Sequence, residues 1–225
     1  MNVPRVIPCL LLKRTGCIKT VRFGDSVYLG DPINIVKLFN DMEVDELGIL
    51  DTRATVDHTE PQISLLSNIA DNAFMPLSYG GGVRTLEHVR TILGIGYEKI
   101  ILGHRAAEDA SFVEQAASLA GSQSVVVSVD ARRRLFGKYH VYTGCGKIKH
   151  PVDPVTYARE MERRGAGEIL LTAIDRDGTM SGYDLELIRE VSSAVRIPVI
   201  ASGGAGKLAD CVAAVRQGGA SAVAA

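Results

Sequence analysis

The 225 residues carry 25 basic and 26 acidic side chains, and 46% of them are hydrophobic. A chain of this size and composition can bury one large core, and its near balance of charge offers no broad attraction for nucleic acid or an anionic membrane surface. No apolar run approaches a transmembrane span and no basic segment leads into a long apolar one at the N-terminus, so a cytoplasmic protein is expected.

In chain order, the apolar run Val6 to Leu12 predicts a first strand buried on both sides. Lys19 to Gly30 reads as a long connection, after which Asp31-Pro32 opens a helix with aspartate as N-cap. Glu46 to Leu50 is a second strand, Ile63 to Ile69 a helix, Met75 to Tyr79 a third strand, and Leu86 to Leu93 a helix. Lys99 to Leu102 is a fourth strand, Ser111 to Ala120 a helix, and Val125 to Val129 a fifth strand ending at Asp130. Arg132 to His150, with Gly137, Gly144 and Gly146, reads as an excursion containing a hairpin. Val155 to Arg163 is helical, Glu168 to Ala173 a sixth strand, and Asp184 to Ser193 helical. Pro198 to Ala201 is a seventh strand, Lys207 to Gln217 a helix, and Ala222 to Ala225 an eighth strand.

An internal repeat organises these elements. Pro76 to Gly82 returns as Pro198 to Gly204, 122 residues later (198 − 76), and Glu46 meets Glu168 at the same offset. A single (βα)₈ TIM-barrel domain over 1–225 is expected, built from half-barrels of approximately 1–122 and 123–225, with no antiparallel block outside the excursion. No GxGxxG follows the first strand, which argues against an open dinucleotide-binding sheet. Such barrels usually need roughly 250 residues. The last strand-end loop and final helix are therefore expected to follow Ala225.

The strand C-termini of a parallel barrel converge on one rim, where Asp51, Asp130, Asp175, Asp177 and Ser202 would gather with Lys13 and Lys19. One such carboxylate can cap a helix or pair with a basic side chain, but several on one rim point to acid–base chemistry. For Asp177 the local alternative is an Asx-turn with an Arg176 ion pair. Glycines 80 to 82 and 203, 204 and 206 would let backbone amides face an anion at a helix start, and Gly178 could join the second site. His104 follows the fourth strand and is placed to touch an anion at the first site, whereas His58, His88, His140 and His150 read as surface or loop residues. On the opposite rim Arg5, Glu46, Lys99 and Glu168 would encircle the barrel floor, which charge alone reads as an ion network sealing the core. Cys9, Cys17, Cys145 and Cys211 have no CxxC spacing, and Cys9 and Cys211 read as buried thiols. No metal-ligand spacing exists, and neither a metal nor a cofactor is expected.

These motifs carry a resemblance. Ile7 to Leu10, Gly48 to Asp51, Gly80 to Gly82, Val126 to Ala131, Arg164 to Thr179, Ser181 to Asp184 and Ile200 to Lys207 resemble the cyclase subunit of imidazole glycerol phosphate synthase across the chain. The resemblance implies a glutaminase partner at the N-terminal face of the barrel. It further implies ammonia crossing the barrel axis and reaction with a bis-phosphorylated precursor at the top. It assigns Arg5, Glu46, Lys99 and Glu168 to an ammonia gate and the two glycine sites, here Gly81, Gly82, Gly203 and Gly204 with Gly178 beside the second, to phosphate binding, with His104 added to the first by its place after the fourth strand. Lys19, Asp51, Thr172 and Asp177 become a supporting polar site.

The family pattern uses two catalytic aspartates, and here Asp130 is present while Leu11 occupies the other position, 119 residues before it (130 − 11). Loss of one acid–base group typically costs roughly 10²–10⁴-fold in rate. The basic pair His104-Arg105 also departs from the small polar pair usual in the family. Both changes resemble a paralogous branch that delivers ammonia to an enzyme converting acetamido to acetamidino groups on bacterial surface sugars. Three readings stand: a barrel subunit serving that amidation, with an anionic small molecule and a sugar amidating enzyme as further partners; a genuine histidine-pathway cyclase subunit; and a non-catalytic ammonia conduit or scaffold.

Overall fold

The computed structural model describes residues 4–134 and 137–225, which leaves positions 135 and 136 of the excursion outside the described residues. Its strands are β1 (Arg5–Ile7), β2 (Cys9–Lys13), β3 (Gly16–Lys19), β4 (Val27–Gly30), β5 (Leu47–Asp51), β6 (Leu77–Gly80), β7 (Lys99–Leu102), β8 (Val125–Arg133), β9 (Tyr139–Thr143), β10 (Ile148–Lys149), β11 (Glu168–Ala173), β12 (Val199–Ser202) and β13 (Ala222–Ala224). The helices are α1 (Pro32–Asp41), α2 (Ile63–Asn72), α3 (Leu86–Gly94), α4 (His104–Glu108), α5 (Ser111–Ala120), α6 (Pro154–Arg163), α7 (Leu185–Ser192) and α8 (Leu208–Arg216).

The sheet runs β1-β13-β12-β11-β8-β7-β6-β5-β2 through parallel pairs, and β1 and β2 are joined at Pro8, so the ring closes as a barrel. The expected continuous first strand is thus two. Proline has no N–H to give to a ladder. At Pro8 the strand exchanges neighbours instead: Ala225 N donates to Ile7 O and Cys9 N to Ala225 O, while Gly48 N donates to Pro8 O.

Two cores follow from strand alternation. Outward residues such as Leu10, Leu12, Ile49, Val127, Val129 and Leu171 pack under the helices, whereas Ile7, Ile101, Val126, Leu170, Ile200, Ala222 and Ala224 fill the barrel interior. Helix starts are set by local chemistry: Asp31 accepts from Ile33 N and Asn34 N, Asp153 caps α6, and Asp184 caps α7.

Three further expectations require correction. The connection from Lys19 to Gly30 contains strand: β2, β3 and β4 form an antiparallel meander, so the excursion is not the only antiparallel block. Asp130 does not end its strand, because β8 continues to Arg133 by pairing with β9, as Asp130↔Tyr142 and Arg132↔His140. Among the cysteines, Cys17 is the fully buried one; Cys9 and Cys211 are half-buried, and all four are free. No described helix is long and apolar enough to cross a membrane.

Candidate active site and basal ion ring

A cavity of about 920 Å³ opens where the barrel strands end, lined by residues from β2, β5, β6, β7, β8, β11, β12 and β13 and by the β3–β4 and β9–β10 excursions. It gathers Leu11, Lys19, Asp51, Asp130, Thr172 and Asp177, together with Gly81, Gly82, His104, Gly178, Gly203 and Gly204. Two residues expected at the top rim lie outside this lining: Asp175 turns away to accept from Arg133 N at 2.8 Å, and Gly206 N donates to Asp210 at 3.1 Å.

Asp130 lies on the interior face of β8, two residues from Ser128, whose Oγ donates to Asp130 Oδ1 at 3.0 Å. Its parallel-strand partner Thr172 adds a second hydroxyl donor. Burial dominates these two bonds and pushes the Asp130 carboxyl up to about 6, with the Asp177 charge adding to the rise. Asp177 is itself pushed up to about 6 by burial, although the Phe23 amide and the Thr20 hydroxyl oppose the shift. The expected local alternative for Asp177 does not form: Arg176 turns to the carbonyls of Ser181 and Gly182 and lies 3.9 Å from Asp184. Two carboxyls poised near neutrality in one cavity are suited to take and return a proton.

Leu11 faces the same cavity, and its strand partner is Leu50. Asp51 lies one residue further along β5, where it accepts from Arg53 N at 2.9 Å and Ala54 N at 3.0 Å and so holds the turn that follows. Burial raises its pKa above the usual carboxylate value against those two bonds.

The two glycine turns are near copies. Gly81, Gly82, Gly203 and Gly204 all have positive φ. A Cβ on Gly81 would meet Asp51 O at 2.7 Å, and one on Gly203 would meet Ala173 O at 2.7 Å, so both turns press on the neighbouring strand end. Gly178 packs against Thr20 O so closely that a Cβ there would clash with it. His104 opens the short α4; its Nδ1 is 3.0 Å from Thr143 Oγ1 and its Nε2 is 3.2 Å from Glu108 Oε1. Arg105 points elsewhere, to Asp109 at 2.9 Å and over the Phe112 ring.

At the opposite end the four expected charges form a closed ring. Arg5 bonds Glu46 at 2.6 Å and Glu168 at 2.7 Å, while Lys99 bonds the same two carboxylates at 2.8 and 3.2 Å. Glu46 is 4% exposed, so its charge depends on these cations. Immediately above lies Cys9, whose thiol burial pushes up to about 12, with Glu46 and Asp177 adding to the rise.

Sequence reasoning missed Ser128, Leu50 and the pair Thr143 and His150. Ser128 was readable as the i−2 neighbour of Asp130 on a strand with one face to the interior. Thr143 joins the cavity wall, with His150 behind it at 2.9 Å, only through the folding of the excursion. Among the described residues, no group of three or more histidine, cysteine or acidic side chains is arranged to hold a metal ion.

A family model described as "Histidine biosynthesis protein" matches residues 5–225. The chain is 44% identical over 222 residues to a provisionally named imidazole glycerol phosphate synthase subunit, hisF2, of Pseudomonas aeruginosa, covering 95% of this chain and 88% of the relative. It is 44% identical over 209 residues to a provisionally named HisF subunit of Leptospira borgpetersenii, covering 91% and 81%. A provisionally named hisF3 of Vibrio vulnificus is 42% identical over 214 residues, covering 95% and 82%. With a closed barrel and matches running along nearly its whole length, the chain belongs to the histidine biosynthesis protein family.

Proposed function

We propose that the chain is the ammonia-using barrel subunit of a glutamine amidotransferase of the imidazole glycerol phosphate synthase type, and that it serves the conversion of an acetamido to an acetamidino group on a bacterial surface sugar. In this reading a glutaminase docks on the face bearing Arg5, Glu46, Lys99 and Glu168, and ammonia enters where those charges part. The interior above the ring, built from Ile7, Ile101, Val126, Leu170, Ile200, Ala222 and Ala224, favours neutral ammonia over ammonium, because a bare cation would lose its hydration there. At the rim, backbone amides of the two glycine turns receive an anionic ligand, with Gly178 beside the second, and Asp130 exchanges protons. Lys19, Asp51, Thr172 and Asp177 support that site, and a sugar amidating enzyme receives the ammonia or its adduct.

The observation that carries this reading is the pairing of Leu11 with Leu50 at the place equivalent to Asp130 with Thr172. Cyclisation by two opposed aspartates needs an ionisable group there, and a leucine supplies none. A second reading, the histidine-pathway cyclase, is favoured by the retention of Asp130, Asp177 and both glycine turns.

The test is turnover of the purified glutaminase complex with the bis-phosphorylated imidazole-pathway precursor and ammonia. Wild type is expected to be slow and Leu11→Asp to gain at least about tenfold, part of the cost attached to a missing acid–base group. Ordinary rates in the wild type overturn the amidation reading in favour of the second. Ammonia transfer to a sugar amidating partner that survives Asp130→Asn would reduce the barrel to a conduit.

A further inference from the structure

The two glycine turns match in backbone but not in charge. At the offset of 122 that aligns them, Arg84 beyond the first turn meets Gly206 beyond the second (206 − 84). Arg84 is half-buried and lines the cavity. Among the described residues its guanidinium makes one hydrogen bond, from Nη2 to Ala54 O at 3.4 Å, and no ion pair, so its remaining N–H groups are open to a ligand. A guanidinium stays charged at any pH the protein meets, and its planar fork of donors matches phosphate oxygens.

The loop after β5 gathers further cations around the same turn. An added Cβ on Gly82 would meet Thr59 O at 2.8 Å and Ala54 Cβ at 3.0 Å, so the first turn packs directly on that loop. Cys145 Sγ donates to Thr52 O at 2.7 Å and brings the β9–β10 turn to it. Burial raises the Cys145 thiol, and Arg53 and Lys147 both oppose the rise, which puts both cations within electrostatic reach of the loop. On its other side the Arg53 bond holds Asp57 below the usual carboxylate range, with Arg14 and Lys13 adding to the effect. Several neighbouring charges are already engaged: Arg53 by Asp57, Arg105 by Asp109, and His104 by Glu108. Arg84, Lys13 and Lys147 line the cavity with no carboxylate partner among the described residues, and Lys13 bonds the Ser26 hydroxyl at 2.9 Å. Of the lining carboxylates on this side, Asp51 is turned to the Arg53 and Ala54 amides, and Asp25 stands exposed on the β3–β4 loop.

The second turn has no such surroundings. Arg176 lies beside Gly204 but turns its guanidinium to Ser181 O, Gly182 O and Asp184, and Lys207 lies outside the cavity lining. Apart from the β9–β10 excursion, the second half lines the cavity with the carboxyls Asp130 and Asp177 and with no cation.

We infer that the cavity takes an asymmetric anionic ligand, with a diphosphate at the first turn gripped by Arg84 and flanked by Lys13 and Lys147, and a less charged end at the second turn held by backbone amides. This rests on the reading that both turns receive an anionic ligand. A phosphate monoester brings about two negative charges, and a diphosphate adds a further one to meet the third cation. A precursor with one phosphate monoester at each end has no such asymmetry, so the charge distribution separates the two classes of ligand.

The test reads the turns separately. Amide ¹H–¹⁵N shifts of Gly81, Gly82, Gly203 and Gly204 are followed in the full chain as inorganic phosphate or inorganic pyrophosphate is added. The first pair is expected to prefer pyrophosphate over phosphate by about tenfold or more, the scale of a charge-assisted bidentate contact, and the second pair to show little preference. In Arg84→Gln, which keeps a donor for Ala54 O, the preference at the first pair should fall to that of the second. Arg84→Lys should keep part of it, and Lys147→Met should lose less than Arg84→Gln. Equal preference at the two turns in wild type, or an unchanged preference in a folded Arg84→Gln, would overturn the inference. A chain in which neither anion moves any of the four glycines would overturn it together with the anion-binding reading of the turns. Ordinary turnover of the imidazole-pathway precursor with the preference intact would sink the amidation reading and leave this one standing; slow turnover without the preference would do the reverse.

Discussion

The two halves of the barrel share a backbone plan and differ in what hangs on it. Leu11 pairs with Leu50 in the first half, and Asp130 pairs with Thr172 at the corresponding register in the second. The glycine turns remain equivalent, with Gly81 pressed on Asp51 O and Gly203 on Ala173 O at the same 2.7 Å from an added Cβ. Turn geometry depends on the backbone and survives divergence of the side chains around it, whereas the carboxyl at position 130 has no counterpart at position 11. The floor shows the reverse asymmetry. Glu46 and Glu168 repeat between halves, but both cations, Arg5 and Lys99, come from the first half. The two cavity carboxyls raised to about 6, Asp130 and Asp177, lie in the second half, and both floor cations lie in the first.

Asp130→Asn should produce the largest effect, a loss of about 10²–10⁴-fold in any reaction that uses the rim for proton transfer. Its stability effect has the opposite sign. Burial pushes the Asp130 carboxyl up to about 6 from its ordinary value of 3.8, so the ionised form is penalised in the fold. That penalty is fully present above pH 6 and disappears as pH falls below about 4, so wild type gains stability on acidification through this window. Asp177 adds a contribution of the same sign. Asp130→Asn should therefore be more stable than wild type at pH 8 by about 1–3 kcal/mol and lose that advantage near pH 4, as read by urea unfolding. An inactive and less stable variant at pH 8 would mean that Ser128 and Thr172 hold the ionised carboxylate better than its burial implies.

Much of this asymmetry was legible in the sequence. The offset of 122 located both glycine turns and both glutamates, and continuous apolar runs such as Val125 to Val129 announced the barrel strands, because strands buried on both faces cannot alternate. Other parts were not legible for physical reasons. β4 is an edge strand whose Val27, Tyr28 and Leu29 are exposed, so it has no buried face to leave a period-two pattern. α4 has five residues and no side-chain N-cap, too little for helical periodicity to register. The break at Pro8 depends on a partner strand more than 200 residues away. His150 looked like a loop residue because its partner Thr143 is brought to it by the β9–β10 hairpin.

Lys99→Met tests the floor half of the comparison. It removes one of two cations from two carboxylates and leaves Arg5 to hold both. Removing one member of a buried pair costs up to about 3–5 kcal/mol, and the partial exposure of Arg5 lowers the expectation to about 1–3 kcal/mol by thermal or urea unfolding. If the ring also gates ammonia, glutamine-dependent turnover should fall about tenfold while turnover with added ammonium changes little, since external ammonia reaches the rim from solution. Equal loss with both nitrogen sources would make the ring a structural seal. Arg5→Met should behave alike, because it too contacts both glutamates.

The smallest expected effects come from the glycine turns, and here the halves should agree. Gly81→Ala and Gly203→Ala each force a Cβ onto a strand-end carbonyl at positive φ, and each should cost about 1–3 kcal/mol in stability. Their effects on anion affinity, measured by calorimetry with inorganic phosphate and with a bis-phosphorylated ligand, separate two descriptions of the rim. If both turns hold anions, either substitution weakens the bis-phosphorylated ligand by a similar factor, because each removes one end of its grip. If divergence of the first half has reached its backbone function, Gly203→Ala weakens binding and Gly81→Ala does not. The equivalent geometry of the two turns favours the first outcome, and it would limit the divergence to the side chains that move protons.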